Sequence, residues 1–187
     1  MELDLLLKET GALLSGHYRL SSGLHSPSYI QCARLLEHPA NTKAIGAALA
    51  GRIGKLVPQK IVAPALGGVI IGYAVAEALD IPMVFTERKE GAMTLRRGFV
   101  IGGDRRVVIV EDVVTTGKST RETAEAVIAH GADVVGYASI LNRSGVENPF
   151  NRPYYSLMSM ALETYPADSC PLCARGVPMD APGSRHS

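Results

Sequence analysis

Glu111 and Asp112 stand side by side at the end of an uninterrupted apolar run, in the segment VVIVEDVVTTGKST (107–120). A turn rich in small and hydroxylated residues follows, and then a helix begins. In open α/β sheets ligands bind beyond the carboxyl ends of the strands. The first N–H groups of a helix lack intrahelical acceptors, and its dipole favours an anion there. Thr115, Thr116, Ser119 and Thr120 add hydroxyl donors, and Gly117 lets the backbone come close to a ligand. The acids repel a phosphate, but they accept hydrogen bonds from sugar hydroxyls or face a Mg²⁺ that a ligand brings. Acids for a ribose beside a nest for a phosphate describe a ribose-phosphate site.

Three other readings of this segment compete. GKST ends like a Walker A loop, but the first glycine of G-x-x-x-x-G-K-[ST] would fall at Asp112. A dinucleotide fingerprint is absent, because Gly67, Gly68 and Gly72 have the wrong spacing and follow another strand. The acids could simply cap the next helix. Two adjacent acids at a buried strand end without partners are uncommon, which favours the binding reading.

The elements that must position these groups alternate from about residue 60 onward. IVAPAL (61–66), PMVFTE (82–87), VVIVED (107–112) and VVGYASILNR (134–143) read as strands. GVIIGYAVAEAL (68–79) and STRETAEAVIAHG (119–131) read as the helices between them. Strands joined through single helices imply right-handed crossovers and a parallel sheet, and apolar runs without alternation suit strands buried on both faces. Toward the ends the chain changes character. The pattern predicts a helix over 2–14, a Ser- and Gly-rich hairpin over 17–31, a helix over 40–56 and a last strand at 153–162, before a Pro-rich tail. The expected organisation is a single domain over 1–187, with a core at about 40–150 and a small hood from about 1–35 and 150–187.

Composition narrows the function classes. The chain has 187 residues, of which 47% are hydrophobic, as in a globular protein. Nineteen Lys and Arg against 18 Asp and Glu give a net charge of +1, so no basic field points to nucleic acid. No apolar run reaches the roughly 18 residues of a membrane span, and the acidic MELDLLLKET start is unlike a signal peptide, so a cytoplasmic location without membrane attachment is expected. Cys170 and Cys173 form a C-x-x-C pair, half of a zinc site by spacing; Cys32 and a histidine would complete it only if the chain ends meet. The expectation is reduced thiols in a small C-terminal turn, with His17, His25 and His130 as surface or structural residues.

Strand, two acids, two apolar residues, Thr-Thr-Gly and helix resemble the phosphoribosyl-pyrophosphate loop of the type I phosphoribosyltransferases. Three further segments resemble the orotate-specific branch of that family: LSSGLHSPSYIQ (20–31) its base-binding hairpin, FTERKEGAMTLRRG (85–98) its mobile catalytic loop, and ILNRSG (140–145) its base-contacting strand end. The CPLC pair and the Pro-Gly-Ser-Arg tail are similar to a bacterial branch. The resemblance implies an α/β fold with a central parallel sheet flanked by helices and a hood from the terminal segments. It implies Mg²⁺-dependent transfer of a phosphoribosyl group from 5-phosphoribosyl-1-pyrophosphate to orotate, in a homodimer with shared active sites. Mg²⁺ would be held mainly through the substrate, with no direct protein ligand.

Under that resemblance Glu111, Asp112, Val113, Val114, Thr115, Thr116, Gly117, Lys118 and Ser119, with Arg88 and Lys89, bind phosphoribosyl pyrophosphate. Arg88, Lys89 and Asp112 are the expected catalytic residues. Thr115, Arg143, Ser21 and Tyr29 would bind orotate, with Arg143 able to pair with a carboxylate through two parallel bonds. The turn Ala65-Leu66-Gly67-Gly68 would offer N–H groups to the pyrophosphate. This chain also departs from the family pattern. Ser21, Ala92, Thr94 and Gly67 replace residues that are lysine in the hairpin, lysine and histidine in the loop, and lysine in the turn. Arg88, Lys89, Arg96 and Arg97 are expected to supply the missing positive charge. A purine phosphoribosyltransferase and a non-catalytic sensor of phosphoribosyl pyrophosphate are the alternatives.

Overall fold

The computed structural model describes residues 2–20, 22–103 and 105–182. The chain forms two compact units, one from Met1–Leu35 with Ala161–Ser187 and one from Leu36–Met160.

The larger unit is built on a six-stranded sheet. Its strands are β3 (Lys60–Pro64), β4 (Met83–Lys89), β5 (Ala92–Leu95), β6 (Arg106–Val114), β7 (Asp133–Asn142) and β8 (Tyr154–Ser159), in the order β5-β4-β3-β6-β7-β8. All neighbours run parallel except the hairpin β4–β5. Helix α3 (Pro39–Ile53) precedes the sheet, α4 (Gly67–Leu79) joins β3 to β4, and α5 (Lys118–Ile128) joins β6 to β7. Successive side chains of a strand face opposite sides. Helix α4 takes one side: a side chain at Gly72 would strike Ala63. Helix α5 takes the other, where Ala124 and Val127 pack with Val62, Val107, Ile109 and Tyr137. The central strands are therefore buried on both faces, and Ile61, Val62 and Val107 to Val110 are inaccessible to solvent.

From β3 the chain winds toward β4 and from β6 toward β7, in opposite directions along the sheet. The crevice between the carboxyl ends of β3 and β6 is thus the topological switch point, where open sheets of this kind bind ligands.

Several expectations shift in detail. Strand β6 continues through the two acids to Val114, where the sequence suggested that it stopped at Asp112. Segment 86–98 was expected as a loop; its first part is the β4–β5 hairpin, turning at Glu90-Gly91, with Thr86 paired to Leu95. The core extends past 150 to Met160, because β8 pairs with β7.

The smaller unit contains α1 (Leu3–Glu9), the antiparallel pair β1 (Leu13–Arg19) and β2 (His25–Ile30), most of α2 (Cys32–Leu36), and α6 (Pro171–Ala174). The first helix is shorter than the expected 2–14. Gly11 adopts φ +63° and its N–H donates to the Lys8 carbonyl, which closes the helix and frees Leu13 for β1. The C-terminal segment is laced to the hairpin. His25 and Tyr165 exchange two backbone hydrogen bonds (2.9 and 2.8 Å), and Asp180 accepts from Arg19 N–H and donates to the His17 carbonyl (2.9 and 2.8 Å). No helix among the described residues is long and apolar enough to cross a membrane.

Candidate active site

The acids lie inside the last turn of strand pairing, not beyond it, so the sheet itself aims them. Glu111 pairs with Ser139 of β7 across the ladder, and its residue is 8% exposed. Glu111 Oε1 accepts the Asp112 N–H at 3.2 Å, and Asp112 Oδ1 accepts the Val113 N–H at 2.8 Å. Neither acid caps α5; that helix starts from Gly117, and Thr116 Oγ1 accepts the Lys118 N–H at 3.3 Å. Burial pushes the Glu111 carboxyl well above the usual range, and the neighbouring Asp112 charge pushes it further. Burial raises Asp112 as well, against the lowering effect of its hydrogen bonds. Two acids held this way favour a partner that donates hydrogen bonds or carries positive charge.

The β3–α4 turn comes directly against them. An added Cβ at Gly67 would lie 2.8 Å from both Asp112 carboxylate oxygens, and one at Gly68 would lie 2.9 Å from the Val110 carbonyl and 3.1 Å from Glu111 Oε1. These two positions are 43 to 45 residues from the acids in sequence; only the parallel pairing of β3 with β6 brings them together. Ala65 and Leu66 are joined by a cis peptide, and Leu66 is 87% exposed at the mouth of this turn.

On the other flank the loop after β6 runs over Thr115 and Thr116, both exposed, to Gly117. Gly117 has φ +70°, and a Cβ there would meet Arg121 Nη1 and the Phe150 ring at 3.0 Å. A side chain here is strained by the positive φ and crowded by both groups, and α5 starts from the following residue. Arg143 follows β7 directly, and its backbone N–H donates to the Val114 carbonyl at 2.7 Å. The half-buried Arg143 therefore starts beside the root of the Thr115 loop.

Of the expected basic residues, Arg88 is the penultimate residue of β4 and pairs with Glu122 of α5, which also lies 3.8 Å from Lys118. This places Arg88 near the first turn of α5. Lys89 is exposed beside Glu90, and Arg97 is taken up by a two-bond pair with Glu87 at 2.7 and 2.8 Å. Glu122 and Glu87 were missed in the sequence. The i, i+4 spacing of Lys118 and Glu122 was the available signal for the first. Tyr29 lies in the smaller unit on β2, with its ring 5.7 Å from that of Tyr18. Ser21 lies outside the described residues.

A doubly wound sheet with paired acids, a glycine turn and a hydroxyl-rich helix start at its switch point defines a class. A phosphoribosyl transferase domain matches residues 31–164, and the chain belongs to that family. Its similarity extends to particular members. It is 46% identical over 187 residues to the orotate phosphoribosyltransferase of Carboxydothermus hydrogenoformans, covering 99% of this chain and 98% of the relative. It is 46% identical over 180 residues to the orotate phosphoribosyltransferase of Thermotoga maritima, covering 96% of each. The crystal structure of orotate phosphoribosyltransferase from Aeropyrum pernix shares the fold, with a TM-score of 0.71 at 24% identity over 84% of this chain and 93% of that one.

Proposed function

We propose that this chain is an orotate phosphoribosyltransferase, transferring the phosphoribosyl group of 5-phosphoribosyl-1-pyrophosphate to N1 of orotate and releasing pyrophosphate and orotidine 5′-monophosphate. The observation that carries the reading is the convergence of Glu111 and Asp112 with Gly67-Gly68 and the α5 start at one crevice. The near-full-length similarity to orotate enzymes supports the choice of base.

Breaking the C1–O bond leaves positive charge on the ribose ring, as in glycosyl transfer generally. Glu111 and Asp112 accept the 2′- and 3′-hydroxyls, which orients the ring, and their negative charge favours the cationic transition state. The N–H groups of 115–119 and the hydroxyls of Thr115, Thr116 and Ser119 hold the 5′-phosphate. The Gly67-Gly68 turn offers its N–H groups to the pyrophosphate; Lys89 and Arg96 close over it and exclude water, and Arg88 and Arg97 join them on leaving Glu122 and Glu87. The donor set fits Mg²⁺ carried by the substrate: two hard carboxylates adjoin the ribose site without forming a cage of their own. A Mg²⁺ brought by the substrate would supply charge that offsets the leaving pyrophosphate. Arg143 pairs with the orotate carboxylate, and Thr115 contacts the base. The parts given to Ser21 and Tyr29 rest on the resemblance of 20–31, and a homodimer with shared sites on the resemblance of the loop 85–98.

The test follows the loss of orotate absorbance with phosphoribosyl pyrophosphate and Mg²⁺, in wild type and Asp112→Asn. Mg²⁺-dependent consumption in the wild type, cut at least about a hundredfold by the substitution, is the expected result. Pyrophosphate release only with purines would reassign the base. Phosphoribosyl-pyrophosphate binding without turnover of any base would make the protein a sensor.

A further inference from the structure

Within the smaller unit, four side chains that the transfer reaction does not use converge on one point. His17 comes from β1, His25 from β2, and Cys170 and Cys173 from the two ends of the C-x-x-C turn at α6. Their ligand atoms all lie within 4.8 Å of one another. His17 Nε2 is 3.1 Å from His25 Nδ1, 3.6 Å from Cys170 Sγ and 3.7 Å from Cys173 Sγ, and His25 Nδ1 is 3.3 Å from Cys173 Sγ. His17, His25 and Cys170 are buried.

These four separations match a coordination shell, and the two remaining pairs lie within 4.8 Å. Zinc bonds of about 2.05 Å to nitrogen and about 2.3 Å to sulfur, in a tetrahedron, place two nitrogens about 3.3 Å apart and nitrogen and sulfur about 3.6 Å apart. The protonation pattern agrees. His17 Nδ1 lies 2.8 Å from the Val177 carbonyl, which can only accept, so Nδ1 carries the proton and the Nε2 lone pair faces the cluster. A ring fixed through its far nitrogen by a backbone carbonyl is the usual support of a metal-bound histidine. Charge agrees too, because two thiolates cancel a divalent cation and leave a neutral group, which burial tolerates.

We propose that His17 Nε2, His25 Nδ1, Cys170 Sγ and Cys173 Sγ form a structural Zn²⁺ site that fastens the C-terminal segment to the β1–β2 hairpin. Four protein ligands leave no open position, so the ion holds structure and does no chemistry. The ligands come from segments about 150 residues apart in sequence, a separation at which a cross-link restricts the unfolded chain strongly. The competing arrangement is a cluster held by hydrogen bonds alone, with a Cys170–Cys173 disulfide as its oxidised form. Cys32, the cysteine the sequence offered as a third ligand, is not in the group.

The experiment uses the full chain without a histidine tag, purified in the presence of a phosphine reductant and without chelators. Elemental analysis should find about one Zn²⁺ per chain, falling to about a tenth or less in Cys170→Ser/Cys173→Ser and unchanged in Cys32→Ser. Co²⁺ added to the reduced apoprotein should give the visible bands of a tetrahedral site and a near-ultraviolet thiolate-to-cobalt transition. A strong chelator should lower Tm by about 5 °C or more, reversed by Zn²⁺ but not by Mg²⁺. The cobalt titration on wild type decides the matter even if the double variant fails to fold. Reduced, folded wild type that carries no zinc and gives no thiolate-to-cobalt band would overturn the site. So would a band that survives in the folded double variant.

Discussion

Replacing Gly117 with alanine tests the proposed phosphate nest where geometry makes the strongest demand. Gly117 sits at φ +70°, a region costing a residue with a Cβ about 1–2 kcal/mol. The new methyl would also stand 3.0 Å from Arg121 Nη1 and from the Phe150 ring. Arg121 can swing aside, but Phe150 is stacked on Tyr137 at 4.3 Å and edge-on to Tyr154 at 5.2 Å. Displacing that ring adds about 1 kcal/mol, the lower end of overpacking costs. The sum of about 2–3 kcal/mol corresponds to a fall in Tm of about 5–10 °C for a chain of this length. Re-aimed peptide groups should also lose at least one charge-assisted hydrogen bond to the 5′-phosphate, worth about 1.5–3 kcal/mol or roughly 10- to 150-fold in kcat/KM for phosphoribosyl pyrophosphate. Gly117→Asn shares the steric contact but tolerates positive φ better, so its Tm should lie between glycine and alanine. Thermal melts and steady-state orotate consumption supply both numbers. An alanine variant within about 1 °C of wild type and within about twofold in kcat/KM would refute the argument that this backbone position shapes the site.

The raised carboxyl of Glu111 makes a prediction about pH. A folded-state value above the unfolded one means that the folded protein holds more protons in the window between them, so stability falls as pH rises through that window. Glu111→Gln should therefore have a higher Tm than wild type at pH 7, with the gap closing toward pH 4, while turnover drops; a gap that widens on acidification would contradict the burial argument. Arg143→Lys should raise KM for orotate by about 10-fold or more, since a lysine cannot make two parallel bonds to a carboxylate, and leave KM for phosphoribosyl pyrophosphate within about twofold. Equal effects on both substrates would remove Arg143 from the base site. Lys89→Ala and Arg96→Ala should each lower kcat/KM for phosphoribosyl pyrophosphate by more than about threefold, or roughly 0.7 kcal/mol. Smaller losses would leave the missing loop lysine and histidine uncompensated by these residues.

The proposed ribose-phosphate site was legible in the sequence because its parts are contiguous. Strand, acids, hydroxyl-rich turn and helix follow one another in 107–120, so local patterning and the chemistry of each side chain were enough to read them. The same locality made the βα alternation of the core readable, since buried parallel strands announce themselves as unbroken apolar runs. Local pattern misled where a single residue or a distant pairing decided the outcome. A left-handed Gly11 ended α1 early, and the Thr86–Leu95 pairing turned an expected loop into a hairpin.

What only the tertiary structure decided lies across long sequence separations. The Gly67-Gly68 turn meets the acids because β3 and β6 are neighbours, and Arg143 reaches the Thr115 loop because β7 lies beside β6. His17 and His25, expected as surface or structural residues, are buried against Cys170 and Cys173, because the C-terminal segment pairs with the hairpin through Tyr165 and Asp180. The sequence by itself determined which groups this protein has for its chemistry and how each short segment folds. Which distant groups share a site was decided by strand pairing and chain closure, because those depend on packing energies summed over the fold and leave no mark on any one stretch of residues.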